Sequence, residues 1–152
     1  MTPLEENIEF KTLTRDFLKK NINEIIKIGS DLQDEYWGQQ HFLMDLSKKF
    51  TLSFVARDKN GKFLAYAICS MKARQHGYLH HFIVDSSFRG KGLGSLIMQE
   101  IINRMKQSSA KKLTLKVDSK NIRGIKFYEN YGFIVCGTVK NYACYEKKLE
   151  KG

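Results

Sequence analysis

The chain has a single proline, Pro3, among its 152 residues, and it lacks any Gly/Ser/Pro-rich linker, low-complexity tract or internal repeat. Nothing therefore marks a domain boundary, and the length suits one hydrophobic core, so a single domain over 1–152 is expected. No apolar run approaches the ~18 residues of a membrane span, so a membrane is not an expected partner. The N-terminal MTPLEENIEFK is acidic and lacks the basic-then-apolar order of an export signal. Cys69, Cys136 and Cys144 form no C-x-x-C pair and leave an odd count. Without an export signal they read as free thiols, which places the protein in the cytoplasm. No metal-ligand set stands out.

Acidic residues are also scarce in one half. Residues 1–70 balance 10 Lys/Arg against 10 Asp/Glu, whereas 71–152 carry 16 against 6 and so supply the whole net charge of +10. That half attracts anions. The plainer explanation is a solvated lysine face, since lysine outnumbers arginine 20 to 6.

The apolar pattern predicts a mixed order of elements. A short strand over 7–13 leads to a helix from Thr14 or Asp16 to Ile28, with Phe17, Leu18, Ile22, Ile25 and Ile26 on one face and Gly29 as its stop. HFLMDLSKK reads as a second helix. FTLSFVAR and KFLAYAICSM flank a turn over 58–61 and predict an antiparallel hairpin. A turn over 75–77 precedes a strand over 78–84, in which alternation puts Tyr78, His80 and Phe82 on one face and Leu79, His81 and Ile83 on the other. Leu93, Ile97, Ile101 and Met105 predict a helix to Gln107. A strand over 111–118, a helix over 121–131 and a final strand pair, 133–137 and 142–149, complete an α/β (α+β) chain with helices packed on a mixed sheet. An exposed final strand could pair between subunits, so a monomer or a homodimer is expected.

Between strand and helix lies FRGKGLG. It lacks the G-x-x-x-x-G-K-[ST] of a Walker loop. Its G-x-G-x-G spacing, its distance from the strand and the lack of an acid between Glu100 and Asp118 argue against a dinucleotide fingerprint. What does match is R-x-x-G-x-G at Arg89, Gly92 and Gly94. Glycines let a backbone approach a pyrophosphate, and free N–H groups at a helix start point towards it. An ordinary glycine-rich turn is the bland alternative.

FIVDSSFRGKGLG, followed by Asn121, Gly124, Phe127, Tyr128, Tyr131, Gly132 and Phe133 in the order N-x-x-G-x-x-F-Y-x-x-Y-G-F, resembles the GNAT acyltransferase superfamily. Ser86 stands where proline is frequent there, and Gly124 where alanine is. The resemblance implies a single-domain GNAT fold, with a mixed, mostly antiparallel, twisted sheet, splayed central strands and flanking helices. About 1–70 would shape the substrate groove and about 71–152 would bind acetyl-CoA as co-substrate, with no metal. It implies that the pyrophosphate lies on Arg89, Gly90, Lys91, Gly92, Leu93, Gly94 and Ser95. The pantetheine arm would pair with the backbone of Phe82, Ile83 and Val84, and Asn121 and Tyr128 would also reach it.

Transfer to an amine requires loss of a proton from nitrogen, polarisation of the thioester carbonyl and protonation of the departing thiolate. Tyr128 is the expected acid by family position, and a packing tyrosine is its bland alternative. YLHHFIV resembles the HLHALAV of arylalkylamine acetyltransferases, which makes His80 the candidate base, directly or through water, with Tyr78 in place of the first histidine. His81 reads as structural. Ribosomal-protein N-terminal acetyltransferases, also similar in the last third, carry a catalytic glutamate where this chain has Lys116. Asp34, Glu35, Tyr36 and Trp37 could receive the acceptor, a small-molecule or peptide amine, although Trp37 could equally anchor a helix. Two rivals remain: a catalytically silent CoA-binding sensor, and a nucleic-acid-binding module using the faint aromatic–lysine run from Tyr142 to Lys148. Nucleic acid is the least favoured partner.

Overall fold

The computed structural model describes residues 7–32 and 37–150. Strand β1 (Glu9–Thr12) leads into helix α1 (Arg15–Ile28), α2 (Gln39–Leu43) and α3 (Lys49–Leu52). Strands β2 (Phe54–Arg57), β3 (Phe63–Ala73) and β4 (His76–Val84) follow, then α4 (Leu93–Gln107), β5 (Lys112–Asp118), α5 (Ile122–Asn130), β6 (Ile134–Val139) and β7 (Tyr142–Lys148). One seven-stranded sheet in the order β1-β2-β3-β4-β5-β7-β6 joins them. Every neighbouring pair is antiparallel except β4–β5.

Helix α1 starts where Thr14 accepts a hydrogen bond from Phe17 N at 3.2 Å, and it buries Leu18, Ile25 and Ile28. Helix α4 lays Leu93, Ile97, Met98, Ile101, Ile102 and Met105 on the opposite sheet face. Gly77 eases the close approach of α4 to β4, because a Cβ there would press on the Met105 side chain. Strand β3, between the two helical layers, is buried from Phe63 to Ser70.

Three sequence expectations need correction. The helix expected over 41–49 is two short helices, because Met44 is extended (ψ 130°) and Lys48 is left-handed (φ 58°), and the chain turns between them. The last strand is not an edge: β7 lies between β5 and β6, and β6 forms the border. Tyr145 of β7 packs in the core at 6% exposure, so the aromatic–lysine run presents no continuous exposed aromatic face.

The third correction concerns β4. His81 pairs with Ile68 and Leu79 with Cys69, so His80 is the extra residue of a β-bulge against β3. A bulge resets alternation. Leu79 and Phe82 both pack on the α4 side, while His80 and His81 both turn to the face covered by α1 and α2. The two histidines are therefore neighbours on one face, not residues on opposite faces.

Candidate functional site

Strands β4 and β5 pair only over His76–Leu79 and Lys112–Leu115. Beyond Leu79 the two diverge, and the β5-facing edge of β4 has no strand partner among the described residues. A cleft of about 520 Å³ opens in this wedge. It is lined by 79–82 of β4, 115–118 of β5, Lys120, Asn121, Tyr128 and Tyr142, with Trp37 and His41 closing one side.

The glycine loop lies at the open end. Gly90 (φ 77°) and Gly92 (φ 86°) both hold left-handed conformations, and a Cβ at either would meet nothing within 4 Å. Backbone conformation, not crowding, demands glycine there. Gly92 is the N-cap of α4 and supplies no side-chain cap, so the first N–H groups of a 15-residue helix lack a side-chain partner. Arg89 folds back instead of reaching outward: its Nε donates to Val84 O at 2.9 Å, and its two terminal nitrogens hold Asp31 at 2.6 and 3.1 Å. The hydrogen bond from Arg89 keeps the Asp31 carboxyl below the usual carboxylate range. Arg89 thus ties the end of β4 to the segment after α1. Lys91 extends over the Phe88 ring at 5.1 Å.

Tyr128, Asn121 and His80, three of the expected site residues, line the cleft. Tyr128 is half-buried on α5, its ring edge-on to Phe127 and Phe133 at 5.6 and 5.7 Å. Asn121 caps α5, its Oδ1 accepting from Gly124 N at 2.9 Å, which also fixes its amide beside the cleft. On the facing wall His80 Nε2 lies 2.6 Å from Ser70 Oγ, and Tyr78 is edge-on to the His80 ring at 4.7 Å. Burial, and then the charges of Lys49 and Lys72, push the His80 imidazole down to about 4, so it is neutral at physiological pH. Burial raises the Tyr78 phenol. Phe82 turns its ring to Phe127, at 6.0 Å, and also lines the cleft.

His81, read from the sequence as structural and on the opposite face, also lines the cleft. Its ring is stacked on Trp37 at 4.8 Å and 4°, with Tyr66 at 5.4 Å. Its Nε2 is buried with no hydrogen-bond partner among the described residues, and burial pushes the imidazole to about 4. The bulge places it, and strict alternation hides a bulge. Trp37 packs against Phe42 at 5.3 Å and lines the cleft. Tyr36, Asp34 and Glu35 lie outside the described residues.

The wall carrying Trp37 and His41 rests on a buried ammonium. Lys49 is 1% exposed, and its Nζ donates to the carbonyls of His41, Phe42 and Met44 at 2.8, 2.7 and 2.7 Å. Those carbonyls form the C-terminal end of α2, where a cation is favoured. Burial draws the Lys49 ammonium down to about 8, with Asp45 opposing the change.

A mixed sheet with one parallel pair splayed around a cleft, and a glycine turn opening a helix at its end, defines the acyltransferase class that the motifs suggested. The chain belongs to the acetyltransferase (GNAT) family, whose model matches residues 16–133. It is 26% identical to N-alpha-acetyltransferase 30 of Xenopus laevis over 109 residues, which cover 70% of this chain and 40% of that protein. Among solved structures, Ard1 of Thermoplasma volcanium superposes with a TM-score of 0.79 at 22% identity, covering 95% of this chain and 99% of that one. A PaiA N-acetyltransferase of Thermoplasma acidophilum, solved with coenzyme A, gives 0.73 at 17% identity, covering 93% and 98%. The chain spans about half or less of the length of several curated relatives it matches, 52% of one and 40% of the Xenopus protein.

Proposed function

We propose that the protein is an acetyl-CoA-dependent N-acetyltransferase acting on a primary amine, with the α-amine of a peptide as the favoured acceptor. The single observation that carries this reading is the wedge: an unpaired β4 edge facing an uncapped helix start across a cleft that holds a tyrosine and a histidine on opposite walls. A strand edge left open offers N–H and C=O groups to the amides of a pantetheine arm. Helix α4 and residues 90–95 would hold the pyrophosphate, and Arg89 would keep the end of β4 in place.

The co-substrate supplies an activated acetyl thioester. Within the cleft, a backbone N–H near Phe82 or Ile83 would polarise the carbonyl. His80 is neutral and available: with Nε2–H donating to Ser70 Oγ, its Nδ1 lone pair can take the proton that nitrogen sheds as the C–N bond forms. A base near pKa 4 is too weak to strip a free ammonium, so the acceptor must arrive as the neutral amine. Tyr128 would protonate the departing thiolate. The peptide preference is supported by the name of the Xenopus relative. A compartment is not implied by any of this; among the described residues no helix is long and apolar enough to cross a membrane.

Thiol release from acetyl-CoA, followed across a panel of peptide N-termini, arylalkylamines, polyamines and amino sugars, tests the reading. Release should require a free amine and should rise with pH along the acceptor's own ionisation, near 8 for an α-amine. Because His80 and His81 stay neutral above about pH 5, kcat/KM should show no inflection at pH 6–7. His80→Ala should slow turnover and alter only the limb below about pH 5. An inflection near 6.5 that His80→Ala abolishes would contradict the burial of that imidazole. Saturable binding without release from any amine would favour the sensor.

A further inference from the structure

The β5 wall of the cleft carries a lysine, Lys116, that no carboxylate among the described residues pairs with. Leu115 and Val117 point into the core, which turns Lys116 between them to the face of His80 and His81. Lys116 is exposed, and among the described residues it enters no ion pair; the acids that pair do so with Arg15, Arg57, Arg89, Arg104 and Lys112. Asp118, the next residue on that face, engages the backbone N–H of Lys120 at 2.9 Å. An acceptor entering the cleft meets Lys116 and Lys120 on the β5 side.

We infer that Lys116 selects acceptors that carry an anionic group beside the reactive amine, which in a peptide means Asp or Glu at one of the first two positions. The inference rests on the acetyl-transfer reading of the same cleft. The negative group pairs with the Lys116 ammonium and so holds the acceptor, whose amine is neutral when it reacts, within the cleft. Lys116 is a specificity-determining residue here, replacing attraction of the ammonium by attraction of its neighbour. An exposed pair of this kind is worth roughly 0.2–1 kcal/mol, which is up to about fivefold in kcat/KM, and it weakens as salt screens it.

The test compares thiol release with the peptides Ser-Glu-Ala-Ala and Ser-Gln-Ala-Ala, and with free glutamate and glutamine, at low and high salt. The wild-type chain should favour the acidic member about two- to fivefold at low salt and lose most of that preference at high salt. Lys116→Glu should reverse the preference without changing the thermal midpoint, because the side chain is exposed. A preference seen only with the free amino acids would assign the acidic group to a small amine and leave the selection by Lys116 standing. Equal rates with both members in the wild type, or the same ratio in Lys116→Glu, would overturn the inference while leaving acetyl transfer intact. No release from any acceptor would overturn acetyl transfer itself, and the inference with it.

Discussion

Tyr128→Phe is expected to lower turnover about a hundredfold while acetyl-CoA affinity changes by less than about threefold. The ring of Tyr128 is fixed by edge contacts with Phe127 and Phe133, and phenylalanine preserves both. Only the hydroxyl is removed, and with it the proton for the departing thiolate. An interaction needed as the C–S bond breaks, and not for binding, depresses kcat and kcat/KM together. Steady-state kinetics paired with calorimetric titration separates the two quantities. Equal losses in turnover and affinity would make Tyr128 a binding and packing residue and move the acid elsewhere.

Lys49→Met is expected to destabilise the fold by about 3 kcal/mol, a large fraction of a small domain's total. Methionine fits the unbranched path of the lysine stem but brings no donor. Three carbonyls at the end of α2, each now within 2.8 Å of the ammonium, would be left without their cation in a place water reaches poorly. The site should feel the same change, because His41 belongs to α2 and Trp37 lies just before it, and both line the cleft. The acceptor KM should therefore rise in whatever fraction remains folded. Urea unfolding should show a lower midpoint with an unchanged slope. A loss under about 0.5 kcal/mol would mean that the buried ammonium contributes no more than a neutral chain of the same length.

The sequence patterns carried most of this architecture, for identifiable reasons. Helix α4 was legible because its apolar residues recur with helical spacing over four turns, and α1 because Thr14 and Gly29 punctuate an amphipathic run. The glycine loop was legible because a left-handed cap needs glycine wherever it occurs. What failed did so where long-range contacts override local pattern. The turn at Lys48 depends on an ammonium reaching back to carbonyls five to eight residues earlier, which no periodicity records. The bulge at His80 comes from the register against β3, and it alone decides that His81 joins His80. Strand order at the far edge, with β7 inside β6, depends on the pairing of β7 with β5 over seven residues. Arg89 illustrates a subtler limit. Its motif position was plain, but its commitment to Asp31 and Val84 O joins residues 58 apart.

Calorimetric titration of the purified chain with acetyl-CoA tests the central claim most directly, because every proposed role depends on the wedge between β4 and β5 accepting that molecule. The account predicts saturable binding at a single site, competed by free coenzyme A and weakened by Gly92→Val, which forces a β-branched residue into a left-handed helix cap. No heat of binding at millimolar acetyl-CoA, from a chain that is folded by circular dichroism, would contradict it.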